Sequence, residues 1–179
     1  VSVDGPQDAL GVTLLADLTG LGGAPARVSG AALVDATTRR VTLQRLLADW
    51  HGEALRLLAP ARITLAQGVA VDRLRIGVGS AVLDVAGRIS PTLALTASAR
   101  GLTPALAKPF APTLAAAGVI DATARLAGTP AQPTGQVQLT ASGLRLLSGA
   151  ARGIQPASAR ATLALAGTTA HLDARVDAG

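Results

Sequence analysis

From residue 10 to residue 177 the chain alternates, with few pauses, between apolar and polar side chains. Leu10, Val12, Leu14, Ala16 and Leu18 are separated by Gly11, Thr13, Leu15 and Asp17. The same period returns at Ile63 and Leu65, at Leu74, Ile76 and Val78, and at Leu83 and Val85. Further along it runs through Leu93 and Leu95, Ile120 to Leu126, Val137 and Leu139, Leu163 and Leu165, and Leu172 to Val176. A period of two places every second side chain on one face of an extended strand, so each segment reads as a strand with one apolar and one wet face. Antiparallel sheets carry that pattern, whereas fully buried parallel strands read as unbroken apolar runs. Ala and Leu favour helix on propensity, but in strands the pattern outranks propensity.

About thirteen strands are expected, centred near residues 14, 31, 44, 55, 64, 73, 85, 96, 123, 138, 146, 162 and 173, at the spacing of an all-β chain of hairpins. At Asp72–Arg73 the apolar parity flips, from Val69 and Val71 to Leu74, Ile76 and Val78, and a β-bulge is the simplest repair. Residues 102–117 differ, with helix-like spacing at Leu102, Leu106, Phe110 and Leu114. Pro104, Pro109 and Pro112 would break a long helix, so one short helical insertion is expected there. A weak echo, LAGT at 126–129 and again at 165–168, favours a repetitive β layer. The chain therefore reads as all-β, one continuous segment over 1–179 without an internal boundary.

Composition narrows the chemistry. Hydrophobic residues make up 49% of the chain and charged ones 15%, which argues against disorder. Within the apolar set are 39 Ala, 28 Leu, 14 Val and 5 Ile, but Trp50 and Phe110 are the only aromatics. Two aromatics cannot form the girdles of an outer-membrane barrel. The absence of Cys removes disulfides, thiol nucleophiles and zinc ribbons. With only His51 and His171, and no carboxylate pair set beside either, the chain offers little for acid–base catalysis. No enzyme activity, metal or cofactor is expected. The formal charge of +5 is spread along the chain rather than gathered in a basic stripe, and no aromatic platforms accompany it, so nucleic acid is not an expected partner.

An ordered series of residues resembles a known family. Trp50, Gly52, Leu55, Leu57 and Pro60 lead into a strand; Gly68, Asp72, Leu74, Ile76, Gly77 and Gly79 follow, then Leu83, Val85 and Gly87. After the Pro/Ala/Leu segment come Gly118 and Ile120, then Arg125, Leu126, Gly128, Thr129, Pro133 and Gly135. This series, over residues 40–179, resembles the C-terminal region of the TamB family, inner components of the translocation and assembly module within the AsmA-like group. The resemblance implies a β-taco: an elongated antiparallel sheet curled into a groove lined with aliphatic side chains. It also implies a periplasmic body, held to the inner membrane by an anchor outside residues 1–179. Phospholipid acyl chains would occupy the groove, and an outer-membrane barrel partner of the TamA type would be met through regions outside this segment.

The groove-lining candidates are Leu10, Val12, Leu14, Ile63, Leu65, Leu74, Ile76, Val78, Leu83, Val85, Leu93, Leu95, Ile120, Leu126, Val137, Leu139, Leu163, Leu165, Leu172 and Val176. On the residues alone, the apolar faces form either a lipid conduit or an ordinary sandwich core, and many Ala with few rings is unusual for a packed core. Trp50 reads as packing beside a bend, and His51 and His171 as solvated strand residues. Gly22–Gly23 and Gly77/Gly79 read as turns or bulges, since the lysine and helix of a phosphate loop are missing. Three functions compete: a lipid-sheltering scaffold, an assembly factor that templates strands at its sheet edge, and a structural β-solenoid. Raw edges near residues 9–18 and 169–177 are expected to pair with another copy.

Overall fold

A computed structural model describes residues 1–21, 24–50, 53–107, 115–147 and 155–178. Thirteen strands form one sheet: β1 (Ser2–Asp4), β2 (Leu10–Leu21), β3 (Ala24–Asp35), β4 (Arg40–Trp50), β5 (Glu53–Ala59), β6 (Ala61–Thr64) and β7 (Ala70–Val78), then β8 (Ala81–Arg88), β9 (Leu93–Leu102), β10 (Ala116–Gly128), β11 (Pro133–Leu146), β12 (Ala157–Ala166) and β13 (Thr169–Ala178). Every pairing is antiparallel and joins strands adjacent in sequence. The one qualification is that β5 and β6, parted at Pro60, share a single place between β4 and β7. This meander differs from a solenoid, whose coils stack in parallel.

The bulge expected at Asp72–Arg73 is present, because the β7–β8 register shifts between Val71 and Leu74. Val71, Leu74, Ile76 and Val78 thereby stay on one face. A second irregularity, between Ala31 and Ala32 on the β3–β4 ladder, inserts Gln44 and keeps Leu43 and Leu46 together. Two expectations about strand number change. The segments centred near 138 and 146 are one strand, β11, which continues through a register shift at Gly143, where φ is +62°. The three-residue β1 has too short an alternation to be read from sequence. Of the helical insertion expected over 102–117 the described residues hold a 3-10 turn at Pro104–Ala107; Leu102 belongs to β9, Ala116 and Ala117 belong to β10, and 108–114, with Phe110 and Leu114, lie outside the described residues.

Among the described residues no second layer covers the sheet: each strand packs against its ladder neighbours, and the 3-10 turn against β10. The buried hydrophobic ones among the described residues are small, Ala26, Ala61, Val71, Ala81 and Ala141, with no bulky side chain fully buried. The accessible surface is 11349 Å², whereas a compact chain of this mass would show about 8,000 Å². Yet the two faces are not equally wet. In β10, Ile120, Ala122, Ala124 and Leu126 are half-buried while Asp121, Thr123 and Arg125 are exposed, and β11 repeats the alternation. With nothing stacked above, shelter on one side requires side chains of neighbouring strands to lean together there. That is the signature of a sheet curled toward its apolar face.

Glycines permit close approach at two matching places. Gly87 in β8 and Gly135 in β11 have φ of +121° and +135°. A Cβ at Gly87 would overlap the carbonyl oxygen of Ala94, and one at Gly135 that of Arg125. Gly79, at φ +56°, makes the turn expected of it. Gly77 is instead a strand residue, and a Cβ there would come within 3.1 Å of Leu58 Cδ2.

Two outcomes follow from this architecture. Twelve strand positions at the usual spacing form a slab about 55 Å long and 33 Å wide, for which solution scattering should give a radius of gyration of about 18 Å and not the roughly 16 Å of a compact domain. Gly135→Ala should lower stability by about 2 kcal/mol or more, read from urea unfolding, since it adds left-handed strain to a backbone overlap.

Candidate functional site

Residues directly opposite in an antiparallel ladder share a face, so register alone traces the apolar side of the sheet. One row runs Leu10–Val34–Val41–Ile63–Val71–Gly87–Leu95–Leu126–Gly135–Leu165–Ala170, from β2 to β13 without a polar side chain. A second runs Leu74–Val85–Ala97–Ala124–Val137–Leu163–Leu172, and a third Ile76–Leu83–Ala99–Ala122–Leu139–Ala161–Ala174. Val12 continues through Ala32 to Leu43, Leu14 faces Gly30, and Val78 faces Leu55 and Ala81. Ile120 and Val176 are linked through Ala141 and Ala159, and Leu93 faces Gly128. The sequence candidates thus come together on one face, apart from Leu65, which lies just past the end of β6 and is 44% exposed.

Alanines that the candidate set omitted form the floor of this face. Ala97, Ala99, Ala122 and Ala124 stand two by two in β9 and β10. Leu83 and Val85 rise on one side of them and Val137 on the other, around a depression of about 130 Å³. Val28, Val41, Leu43, Leu46, Leu55 and Leu57 also belong to the apolar face. Their parity is hidden in the sequence by the Gln44 irregularity and by a register shift between Leu57 and Ala59.

The opposite face is polar over most of its length, with exposed exceptions that include Leu15, Leu33 and Leu47 near the start and Val119 in β10. Arg75, Asp84, Ser98, Thr123 and Gln138 form one of its rows. Arg73 Nε donates to Asp84 Oδ1 at 3.0 Å, and Arg75 Nε lies 3.5 Å from Asp84 Oδ2, an ion contact that leaves this buried nitrogen without a hydrogen-bond partner. Arg73 and Asp84, with Asp72, Thr96, Ser98, Thr123 and Arg125, border a hollow of about 320 Å³. Near the start of the sheet, Arg27 Nε donates to Asp17 at 2.9 Å, and this hydrogen bond with the Asp17 charge raises the guanidinium pKa further. At the β3–β4 turn, Thr38 donates through its hydroxyl and its amide to Asp35, which holds that carboxyl below its ordinary range.

Other singled-out residues bring no further chemistry. His171 is exposed with its Nε2 3.3 Å from Asp173 Oδ2. The side chain of Trp50 and residues His51, Gly52, Gly22 and Gly23 lie outside what is described. Among the described residues no three His, Asp or Glu gather as metal ligands, and no helix is long and apolar enough to cross a membrane. What the arrangement offers is a long aliphatic surface, half-sheltered and open along its length, backed by a charged exterior. In comparisons with known proteins, no family model, no curated protein and no solved structure matches the chain.

The two arginine-paired carboxylates Asp17 and Asp84 should differ in importance. Asp84 is 21% exposed and answers two arginines, so Asp84→Ala should cost about 1 kcal/mol in chemical unfolding, the upper end for such pairs. Asp17→Ala, whose pair is exposed on both sides, should leave the unfolding midpoint unchanged.

Proposed function

We propose that the chain is a segment of a lipid-conducting scaffold of the TamB and AsmA-like kind. The observation that carries this reading is the unbroken apolar row from Leu10 to Ala170, on a face that no second layer of the described residues covers. Exposed apolar patches beyond a few hundred Å² on soluble proteins mark surfaces that meet something apolar. A gutter of Leu, Val, Ile and Ala without polar interruption suits acyl chains, which need no directional contacts and tolerate sliding. The charged exterior keeps such a body in water. The small floor at Ala97, Ala99, Ala122 and Ala124 leaves depth where larger side chains would fill the groove.

In this reading the segment works in the periplasm, anchored to the inner membrane through a part outside residues 1–179. It passes phospholipid toward the outer membrane and supports outer-membrane protein assembly with a barrel partner of the TamA type.

Charged substitutions on the apolar face separate the groove from an ordinary core. In a closed interior, an arginine at Leu83 or Leu93 would be an unpaired buried charge costing at least several kcal/mol, comparable with the stability of a whole domain. In an open groove the guanidinium reaches water along its aliphatic stem. Leu83→Arg and Leu93→Arg should therefore keep β-sheet circular dichroism and a clear melting transition, yet abolish photo-crosslinking to phospholipid. Gln138→Arg, on the polar face, should crosslink as the unaltered chain does. Unfolded Leu83→Arg and Leu93→Arg variants would indicate a packed core, and folded ones that crosslink normally would put the lipid path elsewhere.

A further inference from the structure

In the interior of the sheet, where every strand is paired on both sides, a second hollow of about 300 Å³ opens on the polar face at the rim shared by β4, β6, β7 and β8. Its chemistry differs from that of the hollow beside Asp84. Arg40, Thr64, Ala70 and Arg88 stand directly opposite one another from strand to strand, so they form one row on one face. Three strand steps put the Cα atoms of the two arginines about 14 Å apart, with two short side chains between them. The arginines are the walls of the hollow, and Thr64 and Ala70 its floor. Thr38 and Gln67 add to the polar lining, in which no carboxylate takes part.

Among the described residues no ion pair includes Arg40 or Arg88. Asp35, opposite Arg40 in the ladder, instead accepts hydrogen bonds from the amide and the hydroxyl of Thr38. Arg73, by contrast, is held by Asp84. The hollow is also fixed in shape. The amide of Leu65 donates to the carbonyl of Arg39 at 2.8 Å, and that of Ile89 to the carbonyl of Val69 at 2.7 Å. The amide of Val69 donates to Ser90 Oγ at 3.1 Å. These bonds tie the β6–β7 loop, which carries Gln67, to the β3–β4 turn on one side and the β8–β9 turn on the other. Gly68, at φ +99°, lies so close to Ser90 that a Cβ would overlap its carbonyl oxygen. A loop held in this way between two arginines is preorganised to receive an anion.

We propose that this hollow binds a phosphate ester, with its phosphoryl group between Arg40 and Arg88 and its polar remainder against Thr64 and Gln67. Guanidinium groups meet phosphoryl oxygens through paired, charge-assisted hydrogen bonds. A tetrahedral phosphoryl group offers oxygens to two arginines at once, whereas a carboxylate is filled by one bidentate arginine. The Thr64 hydroxyl and the Gln67 carboxamide both donate and accept, which suits the hydroxyl and ester oxygens of a polyol. The volume lies at the small end of ligand sites, with room for more than a bare phosphate ion. A soluble glycerol or sugar phosphate and the headgroup of an anionic phospholipid share this chemistry. The site stands on the polar rim alone and holds whatever the apolar face carries.

Calorimetric titration of the unaltered chain with glycerol 3-phosphate should show saturable binding at one site, and glycerol should show none. Arg40→Gln and Arg88→Gln should each weaken binding at least tenfold, and Thr64→Val about threefold. Arg125→Gln removes the same charge from the same face outside the hollow, and should bind as the unaltered chain does. β-Sheet circular dichroism shows that each variant remains folded. Flotation with phosphatidylglycerol vesicles then separates the two sources. Retention that falls in Arg40→Gln and Arg88→Gln, but not in Arg125→Gln, identifies a lipid headgroup; retention unchanged in all three identifies a soluble ester. Absence of saturable glycerol 3-phosphate binding, or equal weakening by Arg125→Gln and Arg88→Gln, would overturn the proposal.

Discussion

Backbone hydrogen bonding between strands that are neighbours in sequence is the interaction on which the rest of this molecule depends. A sandwich or a helix-covered sheet shares its stability between ladder and core. Among the described residues the ladder stands without a second layer, and the apolar side chains have only lateral company. Each contacts residues two positions away on its own strand and the residues opposite on adjacent strands. Among the described residues the larger aliphatic side chains therefore reach half-burial at most, with few exceptions, and full burial is left to Ala61, Ala81 and a few other small side chains close to the backbone. Curling toward the apolar face is the available way to remove more of it from water.

That constraint explains why the composition is so heavily aliphatic and so poor in rings. A ring on the apolar face would project beyond its neighbours, with no opposing layer to receive it. Leu, Val and Ile give a surface of even height, and Ala lowers it, as at Ala97 and Ala124 in the floor of the depression. The polar face needs only to stay wet. Its ion pairs are spread out and mostly exposed, and they contribute less to the fold than the glycines at Gly87 and Gly135, which let adjacent backbones meet.

Much of this was legible in the sequence, because period two is a direct projection of the fold onto the chain. The parity change at Asp72–Arg73 gave the bulge, and alternation at Ile120–Leu126 and Val137–Leu139 gave both the strands and their faces. Legibility failed where a shift cancels itself. Gln44 resets the parity of β4, so Leu46 and Ala48 looked as if they belonged to the other side. Gly143 carries β11 through an irregularity that resembled a turn between two strands. The alanine floor was missed for a different reason: a methyl group scores weakly as apolar, although its small size gives the depression its depth. The resemblance to TamB rests on an ordered series of residues, and the fold agrees with what that series implies without identifying the chain.

The meander has a consequence for how the protein comes into being. With every strand paired to its neighbours in the chain, few contacts bridge long stretches of sequence, and little loop entropy opposes any single pairing. Stability then accumulates one hairpin at a time, as in a linear array of repeats. A chain delivered from one end can fold as it arrives, each completed strand serving as the template for the one that follows.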